Sequence, residues 1–124
     1  MNALAAYAAS GPLIEAVELL HLAKPDVVVS VDYAGSFIGG IEGEVTQWQA
    51  VHDSLSVPFS TASYAAVATF RTLGVRRLAL VVSYPNEVTD YLETFLAGDG
   101  LTVTISCGLD LESEAEMGTL PAER

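Results

Sequence analysis

A single cysteine, five basic residues and no long apolar run set the first limits on this 124-residue chain. Cys107 alone excludes an internal disulfide and a zinc site built on several thiolates. The five cations Lys24, Arg71, Arg76, Arg77 and Arg124 face 16 acidic residues, leaving a net charge of −11. Such a surface has no basic footprint for nucleic acid and is repelled by anionic lipid, so neither nucleic acid nor membrane is an expected partner. The same imbalance works against long-range steering of an anionic substrate, and a site for one must rely on local donors. No stretch reaches the ~20 apolar residues of a membrane span. Met1 to Ser10 is Ala-rich but lacks the basic start and apolar core of a signal peptide. The cytoplasm is the expected compartment. His21 and His52 have no metal partner at ligand spacing, so no metal is expected.

What is present is apolar: 51% of residues are hydrophobic and only 17% charged. That balance belongs to a chain whose elements are covered on more than one face, or one that hides apolar surface against a second copy or a complementing chain. Ser10-Gly11-Pro12 reads as a helix start, with Leu13, Ala16, Val17 and Leu20 at helical spacing and Pro25 as its stop. Asp26-Val27-Val28-Val29-Ser30-Val31 is the β-branched run of a strand in a parallel sheet. A Gly-punctuated loop, 32–40, leads to a helix with Val45, Trp48, His52 and Leu55 on one face. Val57-Pro58-Phe59 reads as a short strand. Ser60 is placed to cap the next helix, whose face is Ala62, Ala66, Phe70 and Leu73, with Gly74 at its end. Leu78 to Val82 is a second apolar strand. Pro85 and Asn86 open an amphipathic helix that Gly98 and Gly100 close, and Leu101, Val103 and Ile105 alternate as an edge-like strand. The expected fold is therefore α/β: one domain over 1–124, with strands near 26–31, 57–59, 77–82 and 101–106 in a four-stranded parallel sheet flanked by helices. An acidic tail at 111–124, carrying Glu112, Glu114, Glu116 and Glu123, reads as a frayed end and not as a site.

Ligands of a parallel sheet collect beyond the carboxyl ends of its strands. Three segments fall there, 32–36, 60–63 and 83–87, all rich in hydroxyl, amide or glycine positions, and helix N-termini add backbone N–H donors. Together they point to a site for a small anion. Asp32 reads equally as a catalytic carboxylate and as a cap for the loop's N–H groups. Tyr84 reads as a cleft-facing donor, whereas Ser60, Thr61 and Ser63 fit ordinary first-turn roles. Trp48 reads as a core or interface residue and Cys107 as a small, at least partly buried side chain.

Three stretches resemble the aspartate/glutamate racemase superfamily in its arylmalonate decarboxylase and maleate isomerase branch. They are Asp26 to Ser30 running into Gly35-Ser36-Phe37-Ile38-Gly39-Gly40; Val57-Pro58-Phe59-Ser60-Thr61-Ala62-Ser63; and Leu73-Gly74-Val75-Arg76-Arg77-Leu78-Ala79-Leu80 with Tyr84, Asn86-Glu87-Val88 and Phe95-Leu96. The resemblance covers about 12–110. It implies flavodoxin-like lobes, with about 12–60 from the first and 61–110 from the second. It further implies a cofactor-independent isomerase, racemase or decarboxylase acting on a small carboxylate. Tyr33, Gly35, Ser36, Ser60, Thr61, Tyr84 and Asn86 would bind the carboxylate, with Tyr84 matching a family tyrosine and Tyr33 and Ala34 falling where hydroxyl donors are usual. Asp32 occupies the position of the family's first-loop cysteine and is the candidate base. Cys107 does not match the second cysteine, and the chain resembles a middle section of the family fold. The alternative is a non-catalytic relative that binds a small anion or a partner chain, and a homodimer is expected.

Overall fold

The helix opened by Pro12 runs over Gly11–Leu20 (α1) and tightens into a 3-10 turn, His21–Ala23. Lys24 ends it in left-handed backbone, φ 48°, just before Pro25, which cannot donate a helical hydrogen bond. There follow β1 (Val28–Ser30), α2 (Tyr33–Phe37), α3 (Gly40–Leu55), β2 (Phe59–Thr61) and α4 (Ala62–Thr72). Next come β3 (Arg77–Val82), α5 (Asn86–Gly98), β4 (Thr102–Gly108) and α6 (Glu114–Gly118). This computed structural model describes residues 11–111 and 113–119. The readings made of Met1 to Ser10, Glu112 and Glu123 lie outside them. No helix among the described residues is long and apolar enough to cross a membrane.

Four strands pair in parallel near the expected places, the first shortened from 26–31 to Val28–Ser30 and the second displaced from 57–59 to Phe59–Thr61. They do not form one four-stranded sheet. Among the described residues β1 pairs with β2 and β3 with β4, giving two two-stranded sheets. Val28 stands opposite Phe59 and Ser30 opposite Thr61; Arg77 stands opposite Thr102 and Val82 opposite Gly108. The pattern of a strand records which faces are apolar but not which strand lies beside it. Each sheet also leaves one face open: Val29 is 52%, Val81 71% and Ile105 68% exposed.

Two apolar clusters hold the fold. Val17, Val28, Val51, Leu55 and Phe59 gather α1, α3 and the first sheet. Phe37, Ile38, Val67, Leu92, Phe95, Leu96 and Leu101 gather α4, α5 and the second sheet. Phe37 and Ile38 come from the chain's first half yet pack into the second cluster, so α2 bridges the two.

Three local expectations change. Thr61, not Ser60, caps α4: its Oγ1 accepts the Tyr64 N–H at 3.0 Å, while Ser60 lies in β2. On α3 the buried side chains are Gln47, Val51 and Leu55, while Val45 and Trp48 are 59% and 45% exposed and His52 is exposed. Gln47 is buried because its Nε2 donates to the Gly35 carbonyl at 3.2 Å, the compensation a buried amide needs. The tail is not wholly frayed, since Ser113 and Glu116 form a capping box that starts α6. The end of α4 is as expected: Gly74 follows it at φ +69°, a conformation open to glycine at little cost.

Candidate functional site

Asp32 stands two residues beyond β1 and caps α2, its Oδ1 accepting the Gly35 N–H at 3.1 Å. The cap fixes the start of a helix whose first residue is Tyr33 and last is Phe37. Phe37 is fully buried. It meets Tyr33 edge-on at 5.5 Å and 73°, and Tyr84 at 5.9 Å and 65°. Tyr84 follows β3 in a turn tied down by the segment after β4: Leu109 N–H donates to the Val82 carbonyl at 2.8 Å, Leu111 N–H to Ser83 at 3.0 Å and Asp110 N–H to Tyr84 at 3.3 Å. The carboxyl ends of β1 and β3 thus deliver Asp32, Tyr33 and Tyr84 to one place. Burial raises the Tyr84 phenol above its ordinary range, and the charges of Tyr33 and Asp32 add to the rise. Burial likewise raises Tyr33. Both phenols therefore stay protonated at neutral pH, and neither hydroxyl bonds to another described residue.

The polar groups beneath this cluster are committed to the protein. Ser36 and Ser63 are almost wholly buried, with Oγ atoms 2.5 Å apart and both within reach of the Tyr33 carbonyl, at 2.8 and 3.2 Å. Two hydroxyl protons cover three contacts, so one serine donates to the other and the second to the carbonyl. Ser63 and Gln47 thus tie the site helix to α4 and α3. The sequence placed Ser63 in the strand-end segment 60–63 with only a first-turn role, and nothing in the pattern around Gln47 singled it out. Asn86 begins α5 and is exposed. There β4 passes so close that a Cβ on Gly108 would lie 2.8 Å from the Tyr84 carbonyl oxygen and 3.3 Å from Asn86 Oδ1. Only glycine fits without moving that turn. Cys107, expected to be at least partly buried, is exposed.

Ser60 and Thr61 line a different space, a cavity of about 510 Å³ that also meets Glu44, Trp48, Tyr64 and Asp99. The Thr61 hydroxyl donates to Glu44 Oε1. Burial raises the Glu44 carboxyl; hydrogen bonds from Thr61 and the Tyr64 backbone oppose the rise, and Asp99 adds to it. A carboxyl raised in the folded state contributes stability that is fully present below the ordinary glutamate range and lost as pH rises through the folded value. The thermal unfolding midpoint is expected to fall over that interval more steeply in the native chain than in Glu44→Gln. Parallel melts of both proteins across acid pH check this, and superimposable slopes would refute it.

Parallel strands alternating with helices, with donors gathered at their carboxyl ends, define an α/β protein of the Asp/Glu racemase fold. Within that class, the chain belongs to the arylmalonate decarboxylase family, whose model matches residues 11–124. Arylmalonate decarboxylase of Bordetella bronchiseptica is 35% identical over 69 residues, covering 56% of this chain and 29% of the relative. Maleate isomerase of Nocardia farcinica is 26% identical over 108 residues, covering 82% and 43%. The crystal structure of arylmalonate decarboxylase superposes with a TM-score of 0.80 at 27% identity, covering 88% of this chain and 48% of that one. The Nocardia farcinica maleate cis-trans isomerase bound to TRIS shares the fold with a TM-score of 0.82 at 23% identity, covering 89% and 47%. The chain therefore spans less than half the length of each of these relatives. Arylmalonate and maleate, the compounds these names carry, are both small carboxylates.

Proposed function

We propose that the chain carries part of a cofactor-independent isomerase, racemase or decarboxylase site for a small carboxylate. The observation that supports this best is the convergence of Asp32, Tyr33 and Tyr84, with two protonated phenols whose hydroxyls have no protein partner among the described residues. The phenols donate to the substrate carboxylate, and the turn at Asn86 borders them. Gly35 and Ser36 act from beneath, since the Gly35 N–H and the Ser36 hydroxyl are already engaged. Ser60 and Thr61 are left to the neighbouring cavity. In a racemisation Asp32, at the position the family resemblance gives to a cysteine, takes the proton from the carbon beside the carboxylate. The electron pair moves into the carboxylate as an enediolate held by the phenols, and the proton returns to carbon. In a decarboxylation the pair is left on carbon by departing CO2, and a proton relayed from solvent by Asp32 closes the carbon. A cytoplasmic setting and pairing with a second copy or a complementing chain belong to the same proposal, supported by the lone thiol and the open sheet faces.

A second reading, a non-catalytic binder of a small anion or partner chain, rests on one observation: Asp32 is occupied as the cap of α2. Calorimetric titration with maleate and phenylmalonate tests the site common to both readings. A hydrogen bond to a charged group is worth about 1.5–3 kcal/mol, so Tyr84→Phe is expected to weaken binding roughly ten- to a hundred-fold. Unchanged affinity in that variant would remove the strand-end cluster from consideration.

A further inference from the structure

The 510 Å³ cavity between α3, β2, α4 and the end of α5 is a site in its own right, of a size that accepts small molecules, about 300–1,000 Å³. Trp48, Phe59, Tyr64 and Phe95 give it an aromatic lining. Its ionic groups are Glu44, Asp99 and Arg71, and they do not balance. Arg71 is paired with Asp99. Glu44 has the Thr61 hydroxyl and no cation among the described residues. A half-buried carboxylate without a counter-ion carries a desolvation cost that the hydrogen bonds from Thr61 and the Tyr64 backbone offset only in part, so burial still raises its pKa. A cation with an apolar body would relieve that cost and also rest against aromatic rings, indole being the strongest such partner. Trp48 is itself steadied by stacking on His52, at 5.0 Å and 8°. The chain's net charge of −11 draws cations toward it from a distance. We propose that this cavity binds a small organic amine, a primary ammonium on an aromatic or branched apolar body, with the ammonium on Glu44 and the body against Trp48 and Tyr64.

The proposal is independent of the carboxylate site, and the probes keep the two apart. The whole chain is titrated by calorimetry at low ionic strength with 2-phenylethylamine, with neutral 2-phenylethanol and with 3-phenylpropionate. The amine is expected to bind about tenfold or more tighter than the alcohol, the worth of a hydrogen bond to a charged group, and the acid not to bind this cavity. Glu44→Gln keeps an acceptor for Thr61 and is expected to erase the amine's advantage while the unfolding midpoint holds or rises. Trp48→Leu, at a half-exposed position one helical turn from Glu44 on α3, tests the same site through its apolar contact and is expected to weaken the amine more than the alcohol. Tyr84→Phe leaves amine binding unchanged. Equal affinity for amine and alcohol, an amine affinity indifferent to both Glu44→Gln and Trp48→Leu, or no amine binding at all overturns the proposal. So does binding confined to a lysine-rich peptide, which would make the cavity a seat for a basic partner chain.

Discussion

Phe37→Ala is expected to lower the free energy of unfolding by about 3–5 kcal/mol, the usual cost of deleting a buried aromatic ring. The ring is fully buried, packs in the larger cluster and contacts both site tyrosines edge-on. Against a total stability of about 5–15 kcal/mol for an ordinary domain, such a loss leaves little margin. It is also expected to weaken carboxylate binding, because Tyr33 and Tyr84 lose the surface that sets their spacing. Phe37→Leu retains most of the volume without the aromatic edge, so stability should largely recover while affinity stays reduced. Urea denaturation of the three proteins beside the carboxylate titration separates these effects. A Phe37→Ala protein within about 1 kcal/mol of the native chain would show that the ring is not a keystone.

Asp32→Asn is expected to move binding and turnover in opposite directions. The amide oxygen still accepts the Gly35 N–H, so the start of α2 survives. The charge is gone, however, and a like charge several ångströms from a bound carboxylate costs about 1–4 kcal/mol between water-like and surface-like dielectric. Carboxylate affinity should therefore rise about tenfold or more. Any turnover should fall about 10²–10⁴-fold, the contribution of a positioned general base. A binder without chemistry would tighten and have nothing to lose, so assays of 2-phenylpropionate racemisation and phenylmalonate decarboxylation divide the readings. Unchanged affinity together with unchanged turnover would exclude Asp32 from the site.

The sequence was most informative where a residue's own chemistry fixes its place. Gly98, Gly100 and Gly74 end helices where expected, and the β-branched and apolar runs became parallel strands. Asp32 and Tyr84 do follow the carboxyl ends of β1 and β3, a position the apolar strand runs already marked. The errors share a cause, which is dependence on contacts made far along the chain. Val45 and Trp48 form an apolar stripe at helical spacing, but periodicity does not say what the stripe faces; here both line a cavity. Gln47 took the buried position through a bond to the Gly35 carbonyl, a partner no local pattern reveals. Ser63 and Glu44 acquire their roles from Ser36 and Thr61, respectively 27 and 17 residues away. The single sheet failed for the same reason, since pairing is decided between strands and not within them.

The placement of α2 bears on how such a chain can be recombined. Phe37 and Ile38 are encoded in the first half and packed in the second, among Leu92, Phe95 and Leu96. A crossover between relatives near residue 61 would hand one parent's plug to the other parent's socket. Core packing tolerates volume changes poorly, so such hybrids are expected to fold only where plug and socket volumes match. A crossover near residue 31 moves α2 together with its socket but parts Val17 and Val28 from Val51, Leu55 and Phe59, and so transfers the mismatch to the smaller cluster. Each junction therefore cuts one of the two clusters, and the chain from α1 to β4 is expected to be inherited best as a single piece.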